Sequence, residues 1–145
     1  MAKQILVVDD DPDLVEMLRI AFDQAGYLTR TAASGREALR KAEASVPDVI
    51  LLDVMLPELN GFTVCEHLRG QRATALVPIV LMTALPGEFP RLVSSEVGAT
   101  LFLNKPFDVA RLVAQVGDLL AAPLLPPPAL RTSAASRPDP GLPGA

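Results

Sequence analysis

The apolar positions fall into short unbroken runs separated by stretches with helical spacing. Val49-Ile50-Leu51-Leu52 is one such run, and it ends in Asp53. Ile5-Leu6-Val7-Val8 is another, ending in Asp9-Asp10-Asp11. Runs of this kind read as strands buried on both faces, as inside a parallel sheet. Val77 to Met82 is a further strand, with Pro78 tolerated at its entrance and Thr83-Ala84 at its end. Leu101-Phe102-Leu103 is shorter and leads into Asn104-Lys105-Pro106-Phe107. Tyr27 to Ala32 is a weaker strand signal because it is polar.

Helical patterns fill the gaps. Asp11 suits an N-cap and Pro12 a first helical position. Leu14, Met17, Leu18, Ala21, Phe22 and Ala25 then recur at helical spacing, and Gly26 ends the helix. Ser34-Gly35-Arg36-Glu37 reads as a capping box, with Ala38, Leu39 and Ala42 facing inward. Phe62 to Arg69 predicts a third helix, packing through Phe62, Cys65 and Leu68. The breakers Pro86, Gly87 and Pro90 confine a fourth helix to Pro90–Val97, ended by Gly98. Asp108 caps a last helix with the stripe Leu112, Val113, Val116, Leu119 and Leu120. Five strand–helix alternations predict an α/β fold: a parallel sheet with helices on both faces, joined by right-handed crossovers.

Composition narrows the function classes. A chain of 145 residues, half of them hydrophobic, suits one domain. A net charge of −4 argues against nucleic acid or an anionic membrane as the main partner. The single cysteine, Cys65, reads as a small core residue and fits a reducing compartment. No run has signal-peptide or transmembrane length, so a cytoplasmic protein is expected. Half of the 14 prolines lie after Ala122. The expected organisation is therefore a domain over 1–122 and a disordered or polyproline-like tail over 123–145.

Each candidate for chemistry sits where a strand surfaces, the edge of an open α/β sheet that binds ligands. Asp9 and Asp10 follow the first strand, Asp53 the third, Thr83 the fourth and Lys105 the fifth. If the first and third strands are neighbours, three carboxylates converge. Two carboxylates about 4 Å apart repel by roughly 4 kcal/mol at a surface-like dielectric. A divalent cation relieves that repulsion, and an all-oxygen set suits Mg²⁺. A carboxylate acceptor, a metal, a cation and a hydroxyl are the parts of a phosphoryl-transfer site.

These residues carry a resemblance. Ile5-Leu6-Val7-Val8-Asp9-Asp10-Asp11, Asp53-Val54-Met55-Leu56-Pro57 with Asn60-Gly61, Met82-Thr83-Ala84 and Lys105-Pro106-Phe107 resemble the receiver domain of bacterial two-component response regulators, over about residues 3–121. The spacings agree, with Thr83 thirty residues after Asp53 and Lys105 twenty-two after Thr83. The resemblance implies a flavodoxin-like, doubly wound, five-stranded sheet of order 2-1-3-4-5 with five helices. It implies that Asp53 accepts a phosphoryl group from a histidine kinase or another phosphohistidine protein. Mg²⁺ would be held directly by Asp10, by Asp9 largely through water, by Asp53 and by the Met55 carbonyl. Thr83 and Lys105 would hold phosphoryl oxygens, and Phe102 would be the aromatic switch. A cis Lys105–Pro106 peptide would aim the lysine. Met55 and Leu85 would flank the approach of hydrolytic water. The output would be contact with a downstream protein, without direct nucleic-acid or membrane binding, and a homodimer is left open.

The chain departs from that pattern at the breaker-rich segment Leu85–Pro90 and at Thr100, where an acidic residue is common. No DNA-binding unit is expected after Ala122, so a stand-alone receiver is expected. Its only catalysis would be its own phosphoryl transfer and dephosphorylation. An aspartyl-phosphate phosphatase would need a second aspartate two residues beyond the nucleophile, where Met55 stands. A phosphorylation-independent scaffold is disfavoured by the intact set Asp9, Asp10, Asp53, Thr83 and Lys105. His67 lies on the third helix, away from the strand ends, and reads as a solvated residue rather than a relay histidine.

Overall fold

The computed structural model describes residues 2–121. The tail expected over 123–145 lies outside the described residues, and so does the boundary at 122. Five strands, β1 (Gln4–Val8), β2 (Leu28–Ala32), β3 (Val49–Asp53), β4 (Ile79–Thr83) and β5 (Leu101–Asn104), alternate with five helices. The helices are α1 (Pro12–Gln24), α2 (Gly35–Ala44), α3 (Gly61–Arg69), α4 (Phe89–Glu96) and α5 (Val109–Ala121). The strands form one parallel sheet of order β2-β1-β3-β4-β5.

The apolar runs account for the centre of this sheet. Every residue of β3 and β4 is buried, because helices cover both faces. One face packs Leu6, Ile50, Leu52, Ile79 and Leu81 against Ala38, Val64, Cys65 and Leu68. The other packs Ile5, Val7, Leu51, Val80 and Met82 against Leu18, Phe22, Leu112 and Val116. Strand residues therefore alternate between two cores, while the run as a whole stays apolar. The polar β2 is an edge strand, paired on one side only, to β1. Its Arg30 donates to the carbonyls of Lys41 and Ser45, and Lys41 Nζ donates to the carbonyl of Thr31. Polar side chains thus tie the edge to α2 rather than exposing it.

The caps follow from single residues. Asp11 accepts from the amides of Asp13 and Leu14. Ser34 Oγ accepts from the Glu37 amide, and Glu37 returns to the Ala33 amide, one residue earlier than a standard capping box. α4 begins at Phe89, one residue before the expected start, and Glu88 gives it no side-chain cap. On α1, Met17 is half exposed rather than inward, because only Leu18 and Phe22 of its stripe are buried.

Arg69 ends α3 as a buried cation, which its position at a helix terminus does not announce. Its guanidinium donates to the carbonyls of Gly98 (2.8 Å), Thr74 (3.3 Å), Ala75 (3.2 Å) and Val77 (2.7 Å). It also reaches Thr100 Oγ1, which in turn accepts from the Ile79 amide. The bonds join the end of α3, the approach to β4 and the start of β5. Burial holds the Arg69 pKa below the usual guanidinium value. Arg69→Met is expected to lower the unfolding free energy by about 2 kcal/mol, the cost of stranding buried carbonyls. The measurement is the urea midpoint at unchanged m-value, and a wild-type midpoint would mean that water replaces the guanidinium.

Candidate functional site

The parallel register builds the site. Val8 pairs with Leu52, so Asp9 comes level with Asp53 as both strands surface. Asp53 pairs with Met82, and Thr83 with Asn104, so the fourth and fifth strands end one step further on. Carboxylate oxygens of Asp9, Asp10 and Asp53 all lie within 4.8 Å of one another. Asp9 and Asp53 are buried, whereas Asp10 is exposed at the rim. A cleft of about 680 Å³ opens above them. Its walls include Asp9, Asp10, Asp53, Met55, Leu85 and Lys105, together with Leu56, Asn60 and Phe62.

Lys105 is the counter-charge. Its Nζ lies 2.6 Å from Asp9 Oδ2 and 3.4 Å from Asp53 Oδ2. The Lys105–Pro106 peptide is cis. The backbone leaves β5 through a hydrogen bond from the Lys105 amide to the Thr83 carbonyl, 2.8 Å long. Burial works against the charged ammonium, but the hydrogen bond to Asp9 and the two carboxylates win, so the Lys105 pKa is raised. Asp53 responds in the other direction to the usual carboxylate. Burial, then the charge of Asp9, push its pKa up to about 6, against the opposing pull of Lys105 and of the Met55 amide. One lysine does not balance a three-carboxylate cluster.

The loop after Asp53 is folded tightly under the cleft. The Val54 carbonyl accepts from the amides of Leu56 (3.2 Å) and Gly61 (2.9 Å), closing the loop on itself. Glu58 adopts a left-handed conformation, φ 71°, at its tip. Asn60 then caps α3 by accepting from the Thr63 amide. A Cβ at Gly61 would overlap the Asp53 carbonyl oxygen and come within 2.9 Å of Val54 Cα. Gly61→Ala is therefore expected to cost about 2 kcal/mol of stability, as backbone overpacking does. Thermal or urea unfolding checks this, and an unchanged midpoint would show that the loop can shift freely.

Thr83, Phe102 and Pro106 stand apart from the cleft walls. Thr83 is fully buried, and its Oγ1 accepts from the Leu85 amide at 3.0 Å. Phe102 is half-buried against the core, with the Arg91 guanidinium 5.1 Å from its ring centroid. His67 is exposed, 2.8 Å from Gln71 and 3.7 Å from Glu43, on α3. Cys65 is buried, its thiol pKa pushed up to about 11 by burial.

A buried carboxylate beside two others and one lysine stands at the carboxyl edge of a five-stranded sheet of order 2-1-3-4-5, the architecture of a doubly wound α/β signalling domain. The response regulator receiver domain model matches residues 5–117, and the chain belongs to that family. It is 43% identical over 120 residues to the alkaline phosphatase synthesis transcriptional regulatory protein PhoP of Bacillus subtilis, which covers 83% of this chain and 49% of that one. It is 44% identical over 119 residues to the response regulator PleD of Caulobacter vibrioides, covering 82% of this chain and 26% of PleD. The chemotaxis response regulator CheY4 of Vibrio cholerae superposes with a TM-score of 0.77 at 34% identity, over 82% of this chain and 99% of that one. The chain thus spans about half or less of the length of these curated relatives. The role that follows is phosphoacceptor in two-component signalling. Among the described residues no helix is long and apolar enough to cross a membrane.

Proposed function

We propose that Asp53 is the residue phosphorylated, in a Mg²⁺-dependent reaction with a phosphohistidine donor. The observation that carries this is the placement of Asp53: buried at the cleft floor, within reach of Lys105 and of two further carboxylates. The donor set fits Mg²⁺. Oxygens about 2.1 Å from an octahedral ion stand about 4.2 Å apart across it. The Asp9, Asp10 and Asp53 oxygens lie within 4.8 Å of one another, which suits Asp10 and Asp53 as direct ligands with Asp9 acting through water; the Met55 carbonyl would be a further ligand. The bound ion would neutralise charge on the carboxylates and on the incoming phosphoryl oxygens.

The chain's own residues do the rest. A carboxylate oxygen of Asp53 attacks phosphorus, the P–N bond of the phosphohistidine breaks, and its electron pair leaves on the imidazole. Lys105 is placed to follow the charge from Asp53 onto a phosphoryl oxygen. Thr83 Oγ1 accepts from the Leu85 amide and keeps its own O–H to donate to a second phosphoryl oxygen, so a movement of Thr83 toward that oxygen would pull on the loop before α4. Phe102, on β5 three residues before Lys105, would follow into the space that Thr83 vacates. The donor would be a histidine kinase or phosphotransfer protein, and the output a contact with a downstream protein in the cytoplasm. The net charge of −4 supports no direct nucleic-acid binding.

Mass spectrometry after treatment with acetyl phosphate tests this. Wild type with Mg²⁺ is expected to gain one phosphoryl group. Asp53→Asn, or wild type in excess EDTA, is expected to gain none, and an adduct of equal yield in either would refute the assignment.

A further inference from the structure

Gly35 opens α2, although glycine is the poorest helix former after proline. It has no positive φ to explain it; the explanation is a close approach from elsewhere in the chain. A Cβ at Gly35 would lie 2.6 Å from the Leu59 carbonyl oxygen, 2.8 Å from Leu59 Cβ and 2.8 Å from Val64 Cγ2. The nearest of these atoms is backbone, so a rotamer change cannot clear it.

Leu59 belongs to the loop that carries Met55. That loop is a closed ring, hung from the Val54 carbonyl through the amides of Leu56 and Gly61. Inside it, the Leu59 amide donates to the Pro57 carbonyl at 2.9 Å. Met55 sits at the other end of the ring, against the carboxylate cluster, with its amide on Asp53 Oδ1 at 3.3 Å. The ring therefore rests on Gly35 on one side and faces the acidic site on the other. A push on the Leu59 carbonyl has few bonds over which to dissipate before it reaches the Met55 carbonyl.

We propose that Gly35 is a positioning residue for the acidic site: by leaving room for Leu59 on the α2 N-terminus, it sets where the Met55 carbonyl is presented to Mg²⁺. The inference rests on the Mg²⁺ reading above. It also makes coupling reciprocal, so that metal binding tightens the start of α2.

Calorimetric Mg²⁺ titration and amide hydrogen exchange test the idea on the full chain. Gly35→Ala is expected to weaken Mg²⁺ binding by at least about fivefold, the low end of ordinary coupling. Exchange at the Leu59 and Gly61 amides should quicken while β1 and β3 stay protected. Gly117→Ala is the control, since a Cβ there meets nothing within 4 Å, and it should bind as wild type does. In the wild type, Mg²⁺ should slow exchange at the Glu37 and Ala38 amides, which bond to Ser34. A folded Gly35→Ala that binds Mg²⁺ with wild-type affinity overturns the proposal. If Gly35→Ala does not fold, unchanged Glu37 and Ala38 exchange in Mg²⁺-saturated wild type overturns it instead. Absence of any Mg²⁺ binding by wild type would remove the metal reading itself, a different failure.

Discussion

In metal-free solution at neutral pH, Asp53→Asn is expected to be more stable than wild type by about 1–3 kcal/mol. The Asp53 carboxyl has a folded pKa of about 6 against an ordinary 3.8, raised by burial and by Asp9. The folded state therefore holds the proton more tightly than the unfolded chain. The stability this confers is complete below about 3.8 and lost as pH rises through about 6. At 1.36 kcal/mol per pKa unit, the ceiling is about 3 kcal/mol once both states are ionised. The coupling of Asp53 to Asp9 and Lys105 reduces the realised figure. Asparagine keeps the shape and carries no charge, so the variant should lack this descent between pH 4 and 6. Urea unfolding in EDTA across that window decides it. Mg²⁺ should act oppositely on the two proteins. At a hundred times its Kd it would stabilise wild type by about 2.7 kcal/mol, and Asp53→Asn by much less. Parallel pH profiles of the two proteins in EDTA would mean that Asp53 is not the frustrated charge.

The same frustration was legible in the sequence, because strand register is a matter of counting. Ile5–Val8 and Val49–Leu52 are apolar runs of equal length, so pairing them brings the aspartates that follow level. The alternation of elements likewise foreshadowed all ten elements, with ends displaced by a residue or two. What sequence did not show depends on contacts distant along the chain. Arg69 is only the last residue of a predicted helix in the sequence, yet it bonds a carbonyl 29 residues away. Thr100, which departs from the acidic residue common at its position, proves to serve that arginine and the Ile79 amide. Gly35 reads as part of a capping signal, and only the approach of Leu59 shows why no side chain stands there. The spacing of Thr83 placed it at the strand end, but spacing says nothing about rotamers, and its hydroxyl faces the Leu85 amide. Nor did the run Asp9-Asp10-Asp11 show which carboxylate is buried: Asp9 continues the strand inward, while Asp10 turns to the rim.

The lifetime of the phosphoryl group is expected to rise with the apolar character of the cleft. Hydrolysis of an aspartyl phosphate needs a water in line with phosphorus, and positioning a nucleophile contributes several kcal/mol to a rate. The two positions that would flank that water, Met55 and Leu85, both line the cleft. Met55 is half exposed in the cleft wall; Leu85 is held by its amide on Thr83 Oγ1. Leu56 and Phe62 add apolar wall to the same cleft. Neither Met55 nor Leu85 can hold a water by a strong hydrogen bond. A loss of even about 1.4 kcal/mol of positioning slows a reaction tenfold. Met55→Asn combined with Leu85→Gln supplies two amides at those positions and is expected to speed dephosphorylation by roughly tenfold or more. Both residues sit on loops at the cleft, but Leu85 also packs against one core, so the urea midpoint of each variant is measured alongside its decay rate. The measurement is the first-order decay of phospho-Asp53 after donor removal, with Mg²⁺ present. Each single variant should fall between wild type and the double variant. Decay of the double variant no faster than wild type would show that turnover is limited elsewhere, with the loop from Pro86 to Pro90 as the next segment to vary.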